Sequence, residues 1–398
     1  SKCVKKLSDF HKLGSLSDYN IILINLDGLR RDKVDLCPSL NSLKERSLFF
    51  SRMKTAAPYS IASLHSIFSG VYPSRHGVNG YYKMFRFKEN EVTSLAQYLK
   101  ELGYHTSCDI INDKLIPKNG FDERHVFDEK TVDFKKRHRE FIQRLSSKKK
   151  FFLFLDHTET HKHLVDAVIQ KYKQESIDDE YCSSQKENDE RYNSYLPFTD
   201  EYVSSILQSL RDFHIDDKTI LIFFADHGTS IGEKKGEKFY GVFAYEYTLN
   251  VFCILSIPNF PPQTINTQCR TIDIFPTILE ISGRKLNNLK NKIQGESLFR
   301  LVEDTNCDDR EVFVETGGLY GPWPSPEKHN VFCVVKNNKK LIYNDNPQTW
   351  EFYDLIHDPK ELKNIYQEDT EEILNYKKRL LHYFEENGIT TKLNENIT

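Results

Sequence analysis

The chain has 398 residues, 28% of them charged, and a formal net charge of −3. That length builds a core without disulfide or metal staples and suits one large domain plus a smaller one. The balance of signs offers no basic field to gather nucleic acid or an anionic membrane, which weighs against both as partners.

In chain order, the first predicted element is a buried strand, NIILINLD at 20–27, which ends on Asp27 and runs into Gly28, Arg30 and Arg31. A helix follows in APYSIASLHSIFSG, 57–70: Pro58 precedes it, Ile61, Leu64 and Phe68 share a face, and Gly70 ends it, placing Ser60 at its N-terminus. EVTSLAQYLKELGY, 91–104, is a second amphipathic helix, stopped by Gly103. FFLFLD (151–156), TILIFFAD (219–226) and NVFCILSIP (250–258) read as further parallel strands buried on both faces. Between them, 166–195 is polar and poor in apolar periodicity, an exposed excursion, helical in part and free to move over the site.

IDIFPTILEISG (272–283) is another helix, ended by Gly283. Beyond it EVFVET, NVFCVVK, KKLIYN and WEFYDL are candidate strands, followed by a last helix in EEILNYKKRLLHYFEENG. The expected architecture is therefore an αβα sandwich around a large, mostly parallel sheet over 1–305, plus a small C-terminal antiparallel sheet with a covering helix over 306–398. The longest apolar runs fall short of the roughly 20 residues of a membrane-spanning helix. The eight cysteines show no CxxC pair, which favours free thiols and a cytoplasmic location over a periplasmic or secreted one. The chain opens at Ser1 without Met, so a removed leader is compatible with it.

Two buried strands end on acids, Asp27 and Asp226, the latter followed by His227. Carboxyl ends of parallel strands line one crevice, so these side chains are expected to converge. Close carboxylates repel unless a proton or cation lies between them, and an imidazole alongside points to a divalent metal. Taken singly, each acid equally reads as the cap of a following helix, and Ser60 as a plain N-cap. A helix start also favours an anion or a developing alkoxide, and a serine beside a metal can act as a nucleophile.

Six stretches in order resemble the sulfatase family of the alkaline phosphatase superfamily: NLDGLRRD (25–32), YSIASLHSIFSGVYPSRHGV (59–78), LDHTETH (155–161), FFADHGTSIGE (223–233), IDIFPTILEISG and FYDLIHDPKELKNI (352–365). The resemblance implies that Asp27, Asp226 and His227 hold one divalent cation, whether Ca, Mn, Mg or Zn. Ser60 would be nucleophile and fourth metal contact. His161, with His157 in the same stretch, would meet the substrate, helped by Lys238. Gly28 stands where many relatives carry a second acidic ligand. The run Ser60-Ile61-Ala62-Ser63-Leu64 lacks the Pro and Arg of the family's C/S-x-P-x-R motif, so conversion to formylglycine is not expected. An unmodified alcohol favours a phosphoester over a sulfate ester, with the substrate a small-molecule, glycan-linked or lipid-linked ester. A transferase of phosphoryl-linked groups and a non-catalytic binding relative are the alternatives.

Overall fold

A computed structural model of the protein describes residues 16–80, 86–171, 177–317, 330–368 and 370–394. Nine strands among these residues form one sheet: β1 (Asn20–Leu26), β2 (Leu48–Lys54), β3 (His105–Ile110), β4 (Glu123–Val126), β5 (Phe151–His157), β6 (Thr219–Phe224), β7 (Asn250–Ser256), β8 (Gln263–Ile265) and β9 (Cys269–Arg270). The order is β4-β3-β5-β1-β6-β7-β2-β8, with β9 also paired to β2. β1, β5 and β6 form the centre, mutually parallel and buried along their whole length. Their Ile, Leu and Phe runs suit a pleat covered on both sides.

One expected parallel strand runs the other way. β7 is antiparallel to both β6 and β2. A parallel return needs a crossover that carries the chain back along the sheet. Between β6 and β7 lies a loop with only the short helix Glu246–Leu249, so the chain re-enters from the end it left.

The pleat decides which layer each β5 residue meets. Phe152 and Phe154 lie against Phe68 of helix Ser60–Ser69. His157 turns to the opposite face, against Phe134 of helix Phe134–Leu145 and Tyr202 of helix Gln185–Asp212. Helices Leu95–Glu101 and Ile274–Ile281 pack with Ser60–Ser69, while Pro38–Glu45 and Glu159–Lys171 pack with Gln185–Asp212. The helix expected over 91–104 spans only Leu95–Glu101, because Ser94 and Gln97 close a capping box that fixes its start.

The segment 166–195 is helical over its described residues, within Glu159–Lys171, Ile177–Ser183 and Gln185–Asp212. Many of its described residues are exposed, among them Asp166, Gln170, Glu180, Glu187 and Glu190. Val168, Tyr181, Asn188 and Tyr192 are buried, and these widely spaced anchors were hidden by the charged residues between them. Among the described residues no helix is long and apolar enough to cross a membrane. The cysteines other than Cys3, which lies outside the described residues, are free thiols.

A second sheet, β10 (Val312–Glu315), β11 (Val331–Lys336), β12 (Lys339–Asn344) and β13 (Thr349–Asp354), is antiparallel in that order. Phe332 and Val334 on one face pack with Leu380 and Phe384 of helix Glu371–Asn387. Val331, Cys333 and Val335 on the other face pack with Ala244, Tyr245 and Leu249 of the β6–β7 loop. Fully buried Lys340 ties the units together through Glu246 (2.9 Å) and Glu361 (2.7 Å), and Lys54 also pairs with Glu246. The expected boundary at 305/306 falls between helix Phe299–Glu303 and β10.

Candidate active site

The carboxyl ends of β1, β5 and β6 meet at one edge of the sheet, where a crevice forms. Asp27 follows β1, and Asp226 and His227 follow β6. Asn25 aligns the two ends: its side-chain carbonyl accepts from the Asp226 amide (3.1 Å), and its Nδ2 donates to Asp156 Oδ1 (3.0 Å). Asp226 Oδ1 accepts from the amides of His227 (3.0 Å) and Gly28 (3.4 Å), while its buried Oδ2 has no hydrogen-bond partner. His227 Nδ1 lies 2.7 Å from the Gly228 carbonyl, which only accepts, so Nδ1 carries the proton and Nε2 presents a lone pair.

That Nε2 is 3.5 Å from Asp27 Oδ1 and 3.7 Å from Asp226 Oδ2. Ligand atoms of Asp27, Asp226 and His227 all lie within 4.8 Å of one another. Burial first, then the carboxylates of Asp226 and Asp156, push Asp27 well above the usual carboxylate range. Burial and Asp226 do the same to Asp156. Two acids and an imidazole, with one oxygen orphaned, fit a divalent cation, which would relieve this repulsion.

Ser60 is the first residue of a 10-residue helix whose next nine residues are all buried, ended by Gly70 at φ 70°. Its Oγ stands 3.1 Å from His227 Nε2 and 3.5 Å from Asp27 Oδ1. One turn on, Ser63 donates to the Asp226 carbonyl (2.8 Å), anchoring the helix start to the loop after β6. The first-turn amides of this helix have no intrahelical acceptor and face the site with the positive end of the dipole. Ser60 opens onto a cavity of about 200 Å³ shared with Asp27, His161, Tyr240, Glu129 and Lys162.

His161, in helix Glu159–Lys171, places Nδ1 3.9 Å from Asp27 Oδ2 and leaves Nε2 without a hydrogen-bond partner. Burial, with His227 close by, pulls it down to about 3, so it is a neutral imidazole. His157, expected beside the substrate, does not line this cavity. Pleat parity sends its ring to the other layer, stacked on Tyr202 at 3.9 Å. Half-buried Lys238 does not line the cavity either.

Gly28 has φ +68°, and a Cβ there would stand 2.8 Å from Thr229 Oγ1 and 2.9 Å from His161 Cδ2. A second β1 ligand at this position is therefore shut out by the backbone and by its neighbours. The arginines that follow are structural. Arg30 pairs with Asp32 (2.9 Å) and Glu233 (2.5 Å) and donates to the Thr229 carbonyl (2.8 Å), binding the β1 loop to the β6 loop. Arg31 donates to the Ser51 carbonyl (2.9 Å) and lies over Phe49.

Sequence reasoning missed Asn25, Asp156, Ser63 and Tyr240. Asp156 ends FFLFLD and obeys the same strand-end rule that singles out Asp27 and Asp226. Asn25 is its neighbour in register on β1. Tyr240, whose ring centre is 4.3 Å from that of His227, comes from a loop without any sequence signal.

The sequence model of the Sulfatase family matches residues 19–283, and that of the N-sulphoglucosamine sulphohydrolase C-terminal region matches 236–386. The chain is similar to an arylsulfatase of Clostridium perfringens, 22% identical across 91% of this chain and 93% of that protein. It is also similar to arylsulfatase K of Canis lupus familiaris, 27% identical across 44% of this chain but only 32% of that protein, so the match spans about a third of that relative's length. Its fold is similar to that of a phosphonate monoester hydrolase from Silicibacter pomeroyi, with a TM-score of 0.72 and 15% identity across 93% and 96% of the two chains. With the Sulfatase match running from β1 through helix Ile274–Ile281 and so containing Asp27, Ser60, Asp226 and His227, the chain belongs to the sulfatase family.

Proposed function

We propose that the protein hydrolyses a sulfate or phosphate ester through Ser60, with a phosphoester the preferred substrate. The observation that carries this reading is the position of Ser60 Oγ at a helix start, within 3.5 Å of both Asp27 and His227 and open to a cavity. A cation bound by Asp27, Asp226 and His227 would oppose charge on the non-bridging oxygens and favour the Ser60 alkoxide. Ser60 releases its hydroxyl proton to water, and its Oγ forms a bond to phosphorus or sulfur while the bond to the leaving oxygen breaks. First-turn amides of helix Ser60–Ser69 stabilise the developing negative charge. Neutral His161 offers an N–H hydrogen bond to the departing oxygen, which takes its proton from water. Attack by a second water on the seryl phosphate releases phosphate and restores the hydroxyl.

The absence of Pro and Arg after Ser60 supports an unmodified alcohol, and a plain seryl ester of phosphate has a hydrolytic route out that a seryl sulfate lacks. A phosphonate monoester hydrolase of the same fold supports phosphorus as a centre this scaffold accommodates. Turnover of aryl sulfate, phosphate monoester, phosphodiester and phosphonate substrates by wild type and Ser60→Ala tests the proposal. Phosphoester turnover that Ser60→Ala lowers by about 10³-fold or more is expected. Turnover of none of the four classes, or undiminished turnover in Ser60→Ala, overturns it.

A further inference from the structure

This inference rests on the reading that Ser60 attacks an ester held in the cavity beside it, and it concerns the leaving group. His161 Nε2, buried and without a hydrogen-bond partner, marks where the departing oxygen is met. Val165 lies one helical turn beyond His161, and Asp166 one turn beyond Lys162, so these four side chains share the face of helix Glu159–Lys171 that lines the cavity. Glu129 lines it from the turn after β4, where the amides of Thr131 (3.1 Å) and Val132 (3.0 Å) donate to the Asp128 carbonyl. Ile61, Ile111, Leu115 and Val165 give the cavity apolar walls. A leaving group that starts at His161 therefore meets an aliphatic surface and the charges of Glu129, Lys162 and Asp166.

Two carboxylates against one ammonium leave these three side chains with a surplus of one negative charge. Glu129 and Lys162 form no ion pair among the described residues. Glu129 is half-buried, and burial, followed by Asp166 and Asp128, holds it above the usual carboxylate range, with Lys162 opposing. Its charge also raises Asp27, which lines the same cavity. A positive group on the substrate would relieve this repulsion, whereas a carboxylate there would add to it. At about 200 Å³ the cavity is smaller than the roughly 300–1,000 Å³ of common ligand pockets, which limits the leaving group to a few heavy atoms. We propose that Glu129, aided by Asp166, forms a subsite for an ammonium, so that the preferred ester is that of a short amino alcohol.

Binding tests this without relying on turnover. Full-length Ser60→Ala protein is titrated calorimetrically with 2-aminoethyl phosphate, propyl phosphate and 2-carboxyethyl phosphate, which share the phosphoryl group and differ in the charge at the far end. The ammonium ester is expected to bind about 10- to 100-fold tighter than the propyl ester, and the carboxylate ester more weakly than either. Adding Glu129→Gln should bring the ammonium and propyl esters to within about threefold of each other, and adding Lys162→Met should widen their separation. Equal affinity for those two esters, a preference that survives in Glu129→Gln, or binding of none of the three overturns the inference. Equal affinity accompanied by phosphate release from all three esters in wild type overturns it while leaving hydrolysis through Ser60 intact. An ammonium preference lost in Glu129→Gln, with no phosphate released by wild type from any of the three, would support the inference and defeat only the proposed reaction.

Discussion

Arg30→Met tests how the β1 loop is held against the β6 loop. The Arg30 side chain is 9% exposed and its partner Glu233 16%, so their pair is largely withdrawn from water. Asp32, the other partner, is 59% exposed, and its share of the energy is screened. Losing the guanidinium leaves Glu233 with donors only from the Ile231 amide (2.7 Å) and Ser230 Oγ (3.3 Å). Breaking a buried pair from one side costs about 3–5 kcal/mol, and partial exposure places Arg30→Met near the lower figure, about 3 kcal/mol. Because much of that cost is an uncompensated charge, adding Glu233→Gln should restore about 1–2 kcal/mol. Urea unfolding of wild type, both single variants and the double variant measures the coupling. A loss under about 1 kcal/mol in Arg30→Met, or strictly additive variants, would refute the idea that this pair clamps the two loops.

Gly28→Ala should cost about 1–3 kcal/mol, from the φ of +68° and the crowding by Thr229 and His161, read as a lower urea midpoint. Lys340→Met strands Glu361 and leaves Glu246 with Lys54 alone, so unfolding free energy should drop by about 3–5 kcal/mol, measured the same way. Glu237 is pushed from 4.5 up to about 7, chiefly by burial, against hydrogen bonds from Tyr247 and the amides of Val242 and Phe243. The folded protein keeps this proton to about pH 7 while the unfolded chain releases it near 4.5, so stability falls as pH rises between the two. The drop is about 3 kcal/mol across that window, about 2 kcal/mol of it between pH 5 and pH 7, and Glu237→Gln, which cannot titrate, should flatten the profile by about 2 kcal/mol in urea midpoints taken at pH 5 and pH 7.

The central strands and the meeting of the side chains at their ends were legible because both obey local rules: apolar runs without polar breaks, and acids where those runs stop. Asp27, Asp226, His227 and Ser60 lie together as that logic expects. Strands β3 and β4, HTSCDI and ERHV, were not legible, since polar residues interrupt them and only pairing to β5 and to each other makes them strands. The direction of β7 depends on the loop before it, which no strand pattern encodes. His157 illustrates a finer limit: a motif identifies a stretch, but a one-residue change of parity decides which layer a side chain enters. Tyr192 shows the converse. Its hydroxyl donates to the Gly28 carbonyl (3.0 Å) and accepts from the Arg30 amide (3.0 Å), yet it sits in a charged run that reads as solvated surface.

The central claim is that Ser60 is the nucleophile, and the most direct measurement is acid-quenched single turnover of an aryl phosphate followed by mass spectrometry of the peptide that contains Ser60. The account predicts a phosphoryl adduct on Ser60 that appears and decays with product release, and that Ser60→Ala never forms while losing turnover. Full product release in wild type with no adduct on that peptide at any quench time, together with active Ser60→Ala, would contradict it.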